Sequence, residues 1–142
     1  MSSIVINGGN ICPFTIEKGW GIETTFGISE KVALKLVTLL PNQALSRQVH
    51  IVKDEIYAVL KGQGRLELGN QSDMRVHLLS EGDAVHLPAG VIHRLIAGQE
   101  GIVIVEASTP EINDIIRIED AYNRQVNPDF DAHSYREIIN GR

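Results

Sequence analysis

The stretch QVHIVKDEIYAVLKG, residues 48–62, places three side chains able to bind a metal ion in a run that otherwise resembles a β-strand. Gln48 and His50 are two residues apart, so on a strand they point to the same face. Glu55 follows His50 by five residues, an odd number that sends it to the opposite face of a regular strand. We therefore predict a bend within residues 51–54, which returns the carboxylate to the amide and the imidazole.

A fourth candidate ligand stands in a second stretch, GDAVHLPAGVIHRL, residues 82–95. Pro88 and Gly90 favour a turn that delivers the imidazole of His93 to the start of the following strand. The other histidines, His77, His86 and His133, lie outside this pattern. Such residues are more often structural or solvated than metal ligands, although His86 faces the same interior if its strand alternates that way.

In the segments that must hold these residues, apolar and polar residues mostly alternate with a period of two, and there is little helical pattern. Short β-rich runs are bounded by turn residues and glycines, which is typical of a sandwich or small barrel. VALKLVTLL fits a helix by periodicity, but its β-branched residues and the following Pro41-Asn42 turn favour a strand. In the tail, DIIRI fits a helix or a strand, and SYREIIN predicts a short closing helix before Gly141. We predict an all-β fold in one domain, residues 1–142.

Composition excludes several classes of partner. The chain has 142 residues, a formal charge of −5 and no block of Lys or Arg, which argues against a nucleic-acid partner. No run of eighteen apolar residues and no signal peptide are present, so we expect neither a membrane span nor secretion. Cys12 is the single cysteine and allows no intrachain disulfide. We therefore expect a cytoplasmic protein.

The two stretches together resemble the cupin superfamily, whose motifs have the forms G-x5-H-x-H-x(3,4)-E-x6-G and G-x5-P-x-G-x2-H-x3-N. Here they read Asn42-x5-Gln48-x-His50-x4-Glu55-x6-Gly62 and Gly82-x5-Pro88-x-Gly90-x2-His93-x3-Ala97. Every spacing agrees, and the departures are Asn42 for Gly, Gln48 for the first His and Ala97 for Asn. The resemblance implies a double-stranded β-helix, also called a jelly-roll barrel.

A narrower resemblance, over about Gly19 to Arg124, is to the cupin domain of type II phosphomannose isomerases. It rests on Trp20-Gly21, LSRQVHIVKDE, LPAGVIHRL and DIIRIEDAYNR. Those enzymes also carry Gln at the position of Gln48, but usually have further histidines where this chain has Ile51 and Val52. The resemblance implies a barrel core over about residues 20–124.

The resemblance implies one divalent cation held by Gln48, His50, Glu55 and His93. One amide oxygen, two imidazoles and one carboxylate suit Zn²⁺ first, and also Fe²⁺, Mn²⁺, Co²⁺ or Ni²⁺. The alternative is that Gln48 and His50 form the polar face of an ordinary strand and that Glu55 is a surface carboxylate beside Lys53.

Five further residues are candidates for binding a substrate. By resemblance, Arg94, Arg117 and Arg124 are positioned to hold a phosphate through bidentate guanidinium contacts. The alternative is a surface network in which Arg117 and Arg124 pair with Glu111, Glu119 or Asp120. Lys35 either reaches the cavity or is solvated, and Tyr57 either lines the cavity or belongs to the core.

The function implied by the resemblance is a metal-dependent sugar or sugar-phosphate isomerase, acting through a metal-stabilised enediol(ate). No residue identifies itself as the catalytic base: Glu55 is a poor candidate if it binds metal, while His86 and Lys35 remain open. The alternatives are a non-catalytic cupin that binds or senses a carbohydrate or small molecule, and a metal-dependent oxygenase, which Gln48 disfavours. Since small cupins commonly pair, we expect a homodimer.

Overall fold

The computed structural model describes residues 13–130, 136–138, 140 and 141. Cys12 and the first part of the predicted closing helix lie outside the described residues, although residues 136–138 and 140 are helical. The described residues also form nine strands. They are β1 (Phe14–Lys18), β2 (Gly21–Ile28), β3 (Ala33–Leu39), β4 (Arg47–Val49), β5 (Glu55–Leu68), β6 (Arg75–Ser80), β7 (Ala84–Leu87), β8 (His93–Ser108) and β9 (Ile116–Glu119).

The strands form two facing sheets that share β5 and β8. The first half of β5 pairs with the second half of β8, and β1, β2, β3 and β7 extend this sheet on either side. The second half of β5 pairs with the first half of β8, and this second sheet continues into β4, β9 and β6. The architecture confirms the expected all-β double-stranded β-helix with a short C-terminal helix.

Both shared strands are longer than their sequences predict, because glycines bend them instead of ending them. β5 runs through Gly62 and Gly64 as EIYAVLKGQGRLEL, and β8 runs through Gly98 and Gly101 as HRLIAGQEGIVIVEAS, where separate runs bounded by glycines were expected. The β5–β8 register shifts between Val59 and Lys61 and again between Gly62 and Gly64. There Gly62 pairs with Ile102 and lies against the Gly101 carbonyl oxygen, and the two glycines have φ of 80° and 79°. The bend carries each strand from one sheet to the other.

Replacing Gly62 by alanine is expected to destabilise the protein strongly. A Cβ at this position collides with the Gly101 carbonyl oxygen, so the backbones of β5 and β8 must separate. The positive φ adds about 1–2 kcal/mol for a non-glycine residue. Gly82→Ala is the matched control, since its φ is 91° but the added methyl group meets no atom within 4 Å. Urea denaturation should show the larger loss in Gly62→Ala, and equal losses would contradict the steric explanation.

The main core lies between the sheets and includes Trp20, Leu39, Tyr57, Leu66 and Leu95, whose side chains are nearly inaccessible to solvent. The described residues contain no helix long and apolar enough to cross a membrane.

On the outside, β2, β3 and β5 carry exposed apolar side chains, including those of Ile22, Leu34 and Ile56. Apolar patches of this kind are often covered by a partner, and the homodimer stays a prediction.

Candidate metal centre and adjoining cavity

Three of the four predicted ligands converge inside the barrel at one end. His50 follows β4, Glu55 begins β5 and His93 begins β8. Glu55 Oε1 lies 3.1 Å from His50 Nε2 and 3.0 Å from His93 Nε2. One atom from each residue can be chosen so that all three lie within 4.8 Å of one another, and all three side chains are buried. The predicted bend through residues 51–54 is therefore present, and Glu55 is not a surface carboxylate.

The hydrogen bonds of the two imidazoles direct lone pairs toward this centre. His50 Nδ1 donates to the Asp114 carbonyl oxygen at 2.6 Å, and His93 Nδ1 donates to the Val91 carbonyl oxygen at 2.9 Å. In a neutral imidazole the other nitrogen, Nε2, is then an acceptor. Both Nε2 atoms consequently face the same carboxylate oxygen, and three acceptors meet. A single divalent cation among them would remove this repulsion, so the residues fit a divalent metal ion.

Gln48 lies beside His93. The two residues are cross-strand partners of β4 and β8, and Gln48 Nε2 lies 3.5 Å from His93 Nε2. Its Oε1 accepts a hydrogen bond from Ser46 Oγ at 2.7 Å. Rotation of the amide by 180° exchanges these roles, since a hydroxyl oxygen can also accept from an amide nitrogen. The amide oxygen then faces the metal centre.

Charged groups behind the centre stabilise the ionised form of Glu55. Burial raises the pKa of the Glu55 carboxyl, but when no cation is bound and the two Nε2 atoms carry protons, hydrogen bonds from His50 and His93 outweigh burial and hold this pKa well below its usual value. Lys53 Nζ lies 3.1 Å from Glu55 Oε2 and 4.0 Å from Glu106 Oε2. Burial alone would lower the pKa of Lys53, yet the charges of Glu106 and Glu55 raise it. Lys53 is therefore a buried cation between two carboxylates.

Glu106 is a functional candidate that sequence reasoning missed. It lies on β8 opposite Tyr57 of β5 and Lys35 of β3, and it points into the barrel. Burial, followed by the negative charge of Glu55, raises the pKa of the Glu106 carboxyl to about 7. Among the described residues its Oε2 accepts no hydrogen bond. The sequence did contain a signal for Glu106. Alternate residues of a strand point to the same face, so Glu106 shares the inward face of β8 with Ile102 and Ile104, where an apolar residue would be expected.

A cavity of about 380 Å³ adjoins the centre, within the size range of small-molecule sites. His50 and Gln48 stand in its wall, together with Ser46. Its charged lining residues are Lys18, Glu23, Lys35, Lys53, Glu106, Arg117 and Arg124. The cavity therefore places cations and carboxylates next to the metal-type cluster.

Three of the five predicted substrate-binding residues line this cavity. Lys35 reaches it and pairs with Glu23 Oε1 at 3.1 Å. Arg117 is the cross-strand partner of Gln48, and its Nε is buried without a hydrogen-bond partner among the described residues. Burial and the nearby Arg124 charge lower the pKa of the Arg117 guanidinium. Arg124 also lines the cavity but holds Asp120 through two nitrogens, at 2.6 and 3.1 Å, which is the pairing that the surface-network alternative predicts.

Arg94 and Tyr57 do not line the cavity. Because His93 points inward, Arg94 points to the opposite face of β8, where it donates to the Leu45 carbonyl oxygen at 3.0 Å and approaches Glu119. Tyr57 is 1% exposed and packs edge-on against His93, with ring centroids 6.1 Å apart. It belongs to the core, and its side chain packs against the predicted ligand His93.

The other two histidines in the described part of the chain contribute nothing to the centre. His86 points outward and contacts Asp54 Oδ1 at 2.6 Å on the surface, so it is not a base in this cavity. His77 is exposed on β6. His133 lies outside the described residues.

Comparison with known proteins identifies the family. Residues 12–120 match the family model described as mannose-6-phosphate isomerase C-terminal. The chain is 28% identical over 113 residues to the xanthan biosynthesis protein XanB of Xanthomonas campestris and, equally, to the mannose-1-phosphate guanylyltransferase ManC of Salmonella typhimurium. Each alignment covers 77% of this chain and 23% of the relative, so the chain spans about a quarter of their length.

A solved structure agrees with this assignment at the level of the fold. The capsular polysaccharide assembling protein CapF of Staphylococcus aureus superposes with a TM-score of 0.67 at 16% identity, over 78% of this chain and 34% of CapF. The predicted resemblance is thus confirmed. The chain belongs to the mannose-6-phosphate isomerase C-terminal family, and its fold is that of a cupin.

Proposed function

We propose that this protein is a metal-dependent sugar-phosphate isomerase that interconverts an aldose and a ketose, in the manner of mannose-6-phosphate isomerase. One observation carries the proposal: the convergent His50, Glu55 and His93 cluster adjoins a cavity that also presents a guanidinium and a carboxylate without full sets of partners. These groups match the parts of a sugar phosphate that an isomerase must hold. The family assignment supports the same substrate class.

The metal would be held by His50, Glu55 and His93, with the Gln48 amide oxygen as a fourth ligand. Its chemistry, when bound, is that of a Lewis acid for a sugar carbonyl or hydroxyl oxygen. Nitrogen and oxygen ligands of this kind favour zinc. The backbone carbonyls of Asp114 and Val91 orient the two imidazoles for this task by fixing their Nδ1–H groups.

Arg117 and Arg124 would bind the phosphate. Arg117 stands beside Gln48 across the β4–β9 pair, so an anion at its guanidinium remains close to the metal centre. Its Nε has no hydrogen-bond partner within the described ranges and the pKa of its guanidinium is lowered, and both features indicate a cation that a bound anion would stabilise. Arg124 is held in place by Asp120 while still lining the cavity.

Replacing Arg117 by alanine is expected to raise the KM for a sugar phosphate by about 10- to 150-fold, the effect of losing a hydrogen bond to a charged group worth about 1.5–3 kcal/mol. The reason is loss of a phosphate contact, so kcat should change less. Steady-state kinetics provide the measurement. Arg94→Ala is the matched control because its guanidinium lies outside the cavity. Equal effects of the two substitutions would contradict the assignment of Arg117.

Glu106 would carry the proton. Isomerisation of an open-chain sugar moves one proton from C2 to C1 and one from O2 to O1, with no net change in oxidation state. A carboxylate in the cavity wall can accept the carbon-bound proton and return it to the adjacent carbon. Glu106 is suited to this role because it is not one of the clustered ligands and its Oε2 lies buried without a hydrogen-bond donor in the described part of the chain. Lys53 would orient it beside Glu55.

The proposal is tested by assaying the purified protein for conversion of mannose 6-phosphate to fructose 6-phosphate, first with zinc and then with a chelator. Turnover that depends on metal supports the isomerase function. Absence of turnover with mannose 6-phosphate and a panel of other aldose phosphates would overturn it.

A second candidate is a cupin that binds a sugar phosphate without converting it. The observation that favours it is the small share of the relatives that this chain matches, since each alignment covers 23% of XanB or ManC. The activity in the name of ManC therefore need not reside in the part that ManC shares with this chain. Saturable binding of a sugar phosphate to the zinc-loaded protein, without isomerisation, would support this candidate.

A further inference from the structure

His50 and Glu55 are five residues apart, so the chain between them must bend for both side chains to face the interior of the barrel. Contacts with one carboxylate hold this bend in place. Residues 50–54 link β4 to β5, and residues 51–53 turn their N–H groups toward a single carboxylate. Asp114 Oδ1 accepts from Ile51 N at 3.0 Å, while Asp114 Oδ2 accepts from Val52 N and Lys53 N, both at 2.7 Å. Successive N–H groups around one anion form a nest, which fixes the backbone of the turn.

Asp114 reaches this turn because of the pairing of β9 with β4. Val49, the last residue of β4, pairs with Ile116, the first residue of β9. The chain just before Ile116 therefore lies beside the chain just after Val49. The charge of the carboxylate is stabilised there: burial opposes ionisation, but the N–H groups of Lys53, Val52 and Ile51 outweigh it and lower the pKa of Asp114.

The same residue also orients a ligand through its main chain. The Asp114 carbonyl oxygen accepts the Nδ1–H of His50 at 2.6 Å, which leaves Nε2 directed at Glu55. One residue thus holds the ring of His50 and the turn that separates it from Lys53 and Glu55. Gly90 N donates to the His50 carbonyl oxygen at 2.8 Å and completes the attachment of His50 on the side of β8.

We infer that Asp114 is a positioning residue of the metal centre, and that its carboxylate sets metal affinity by holding the turn between two ligands without binding the ion itself. This inference rests on the metal centre of the proposed function. Outer partners of metal ligands typically contribute about 10- to 100-fold to metal affinity. The carboxylate of Asp114 acts on the loop that carries both His50 and Glu55, so its effect should lie in that range.

The test uses Asp114→Asn, which keeps the size of the side chain and its Oδ1 acceptor but replaces Oδ2 by a donor. Two N–H groups, those of Val52 and Lys53, then face an NH₂ group. Zinc affinity is measured by competition with a chromophoric chelator, and the ligand geometry by the visible spectrum of the cobalt(II)-substituted protein. We expect a loss of zinc affinity of about 10- to 100-fold and an altered cobalt spectrum, with zinc stoichiometry unchanged.

Asp83→Asn is the matched control for a general loss of stability. Asp83 Oδ2 also accepts a backbone N–H in a turn, that of Ser80 at 2.8 Å, but the turn lies away from the cavity. Both variants should unfold at lower urea concentration, whereas zinc affinity and the cobalt spectrum should change in Asp114→Asn alone. An Asp114→Asn affinity within threefold of the original protein, or an equal loss in Asp83→Asn, would overturn the inference.

Failure of the inference is distinguishable from failure of the metal centre. If the original protein binds zinc and Asp114→Asn binds it equally well, the centre stands and the positioning role is wrong. If the original protein binds no zinc and no cobalt(II), both are wrong.

Discussion

Replacing Glu55 by glutamine is expected to abolish the stabilisation of the protein by zinc. Glu55 Oε1 is the anionic atom on which His50 Nε2 and His93 Nε2 converge, and an amide supplies no charge to balance a divalent cation. A ligand at about 1,000 times its Kd stabilises the native state by about 4 kcal/mol. We expect the difference in the free energy of unfolding, with zinc and with chelator, to fall from about that value toward zero. Urea denaturation under both conditions measures it.

The control for this experiment is Glu67→Gln on the same strand. Glu67 is buried like Glu55, but it pairs with Arg47 at 2.5 Å and does not line the cavity. Its loss should lower the free energy of unfolding with and without zinc, and leave the difference between the two intact. A Glu55→Gln variant that keeps the full zinc effect would contradict the metal centre.

Replacing Glu106 by glutamine is expected to lower kcat for sugar-phosphate isomerisation by about 10²- to 10⁴-fold, the usual contribution of a positioned acid or base. The amide has nearly the same shape but cannot accept a proton from carbon. Zinc stoichiometry should stay unchanged, since Glu106 is outside the ligand cluster. Turnover in D₂O gives a second measurement: deuterium incorporation at C1 and C2 should disappear together with product formation.

Glu100→Gln supplies the comparison for Glu106. Glu100 lies on the same strand, β8, but is exposed and outside the cavity next to the metal centre. Its substitution should leave both turnover and deuterium incorporation near those of the original protein. If Glu106→Gln retained turnover within threefold of the original protein, another group would have to move the proton, and the isomerase proposal would survive without Glu106.

Much of the candidate centre could be predicted from sequence because its ligands stand at the ends of strands. Gln48 and His50 share a face by the two-residue period, and Pro88-x-Gly90 sets the turn before His93. These are local properties, governed by residues within one turn or one strand. The presence of a bend between His50 and Glu55 was also predictable. Two residues at an odd spacing point to opposite faces of a regular strand, so they can act together only if the chain bends between them.

The ends of the strands were predicted less well than the strands themselves. Glycines were expected to bound the strands, but Gly62 and Gly101 lie within β5 and β8, where each strand passes from one sheet to the other. A single sequence shows a glycine and not the backbone opposite it. For the same reason the choice between helix and strand for DIIRI needed the structure, in which β9 forms by pairing with β4.

The sequence by itself determined the two-residue strand period and the spacing of the two motifs that carry the candidate ligands, because these depend on neighbours along the chain. Only the tertiary structure decided which other side chains share their space. Because alternate residues of β8 point to opposite faces, Arg94 points away from the cavity. Pairing of β4 with β9 brings Arg117 beside Gln48. Glu106 is buried beside Lys53. The tertiary structure also joined Asp114 to residues 51–53, more than sixty positions earlier in the chain. Such contacts depend on register between distant strands, which no local pattern encodes.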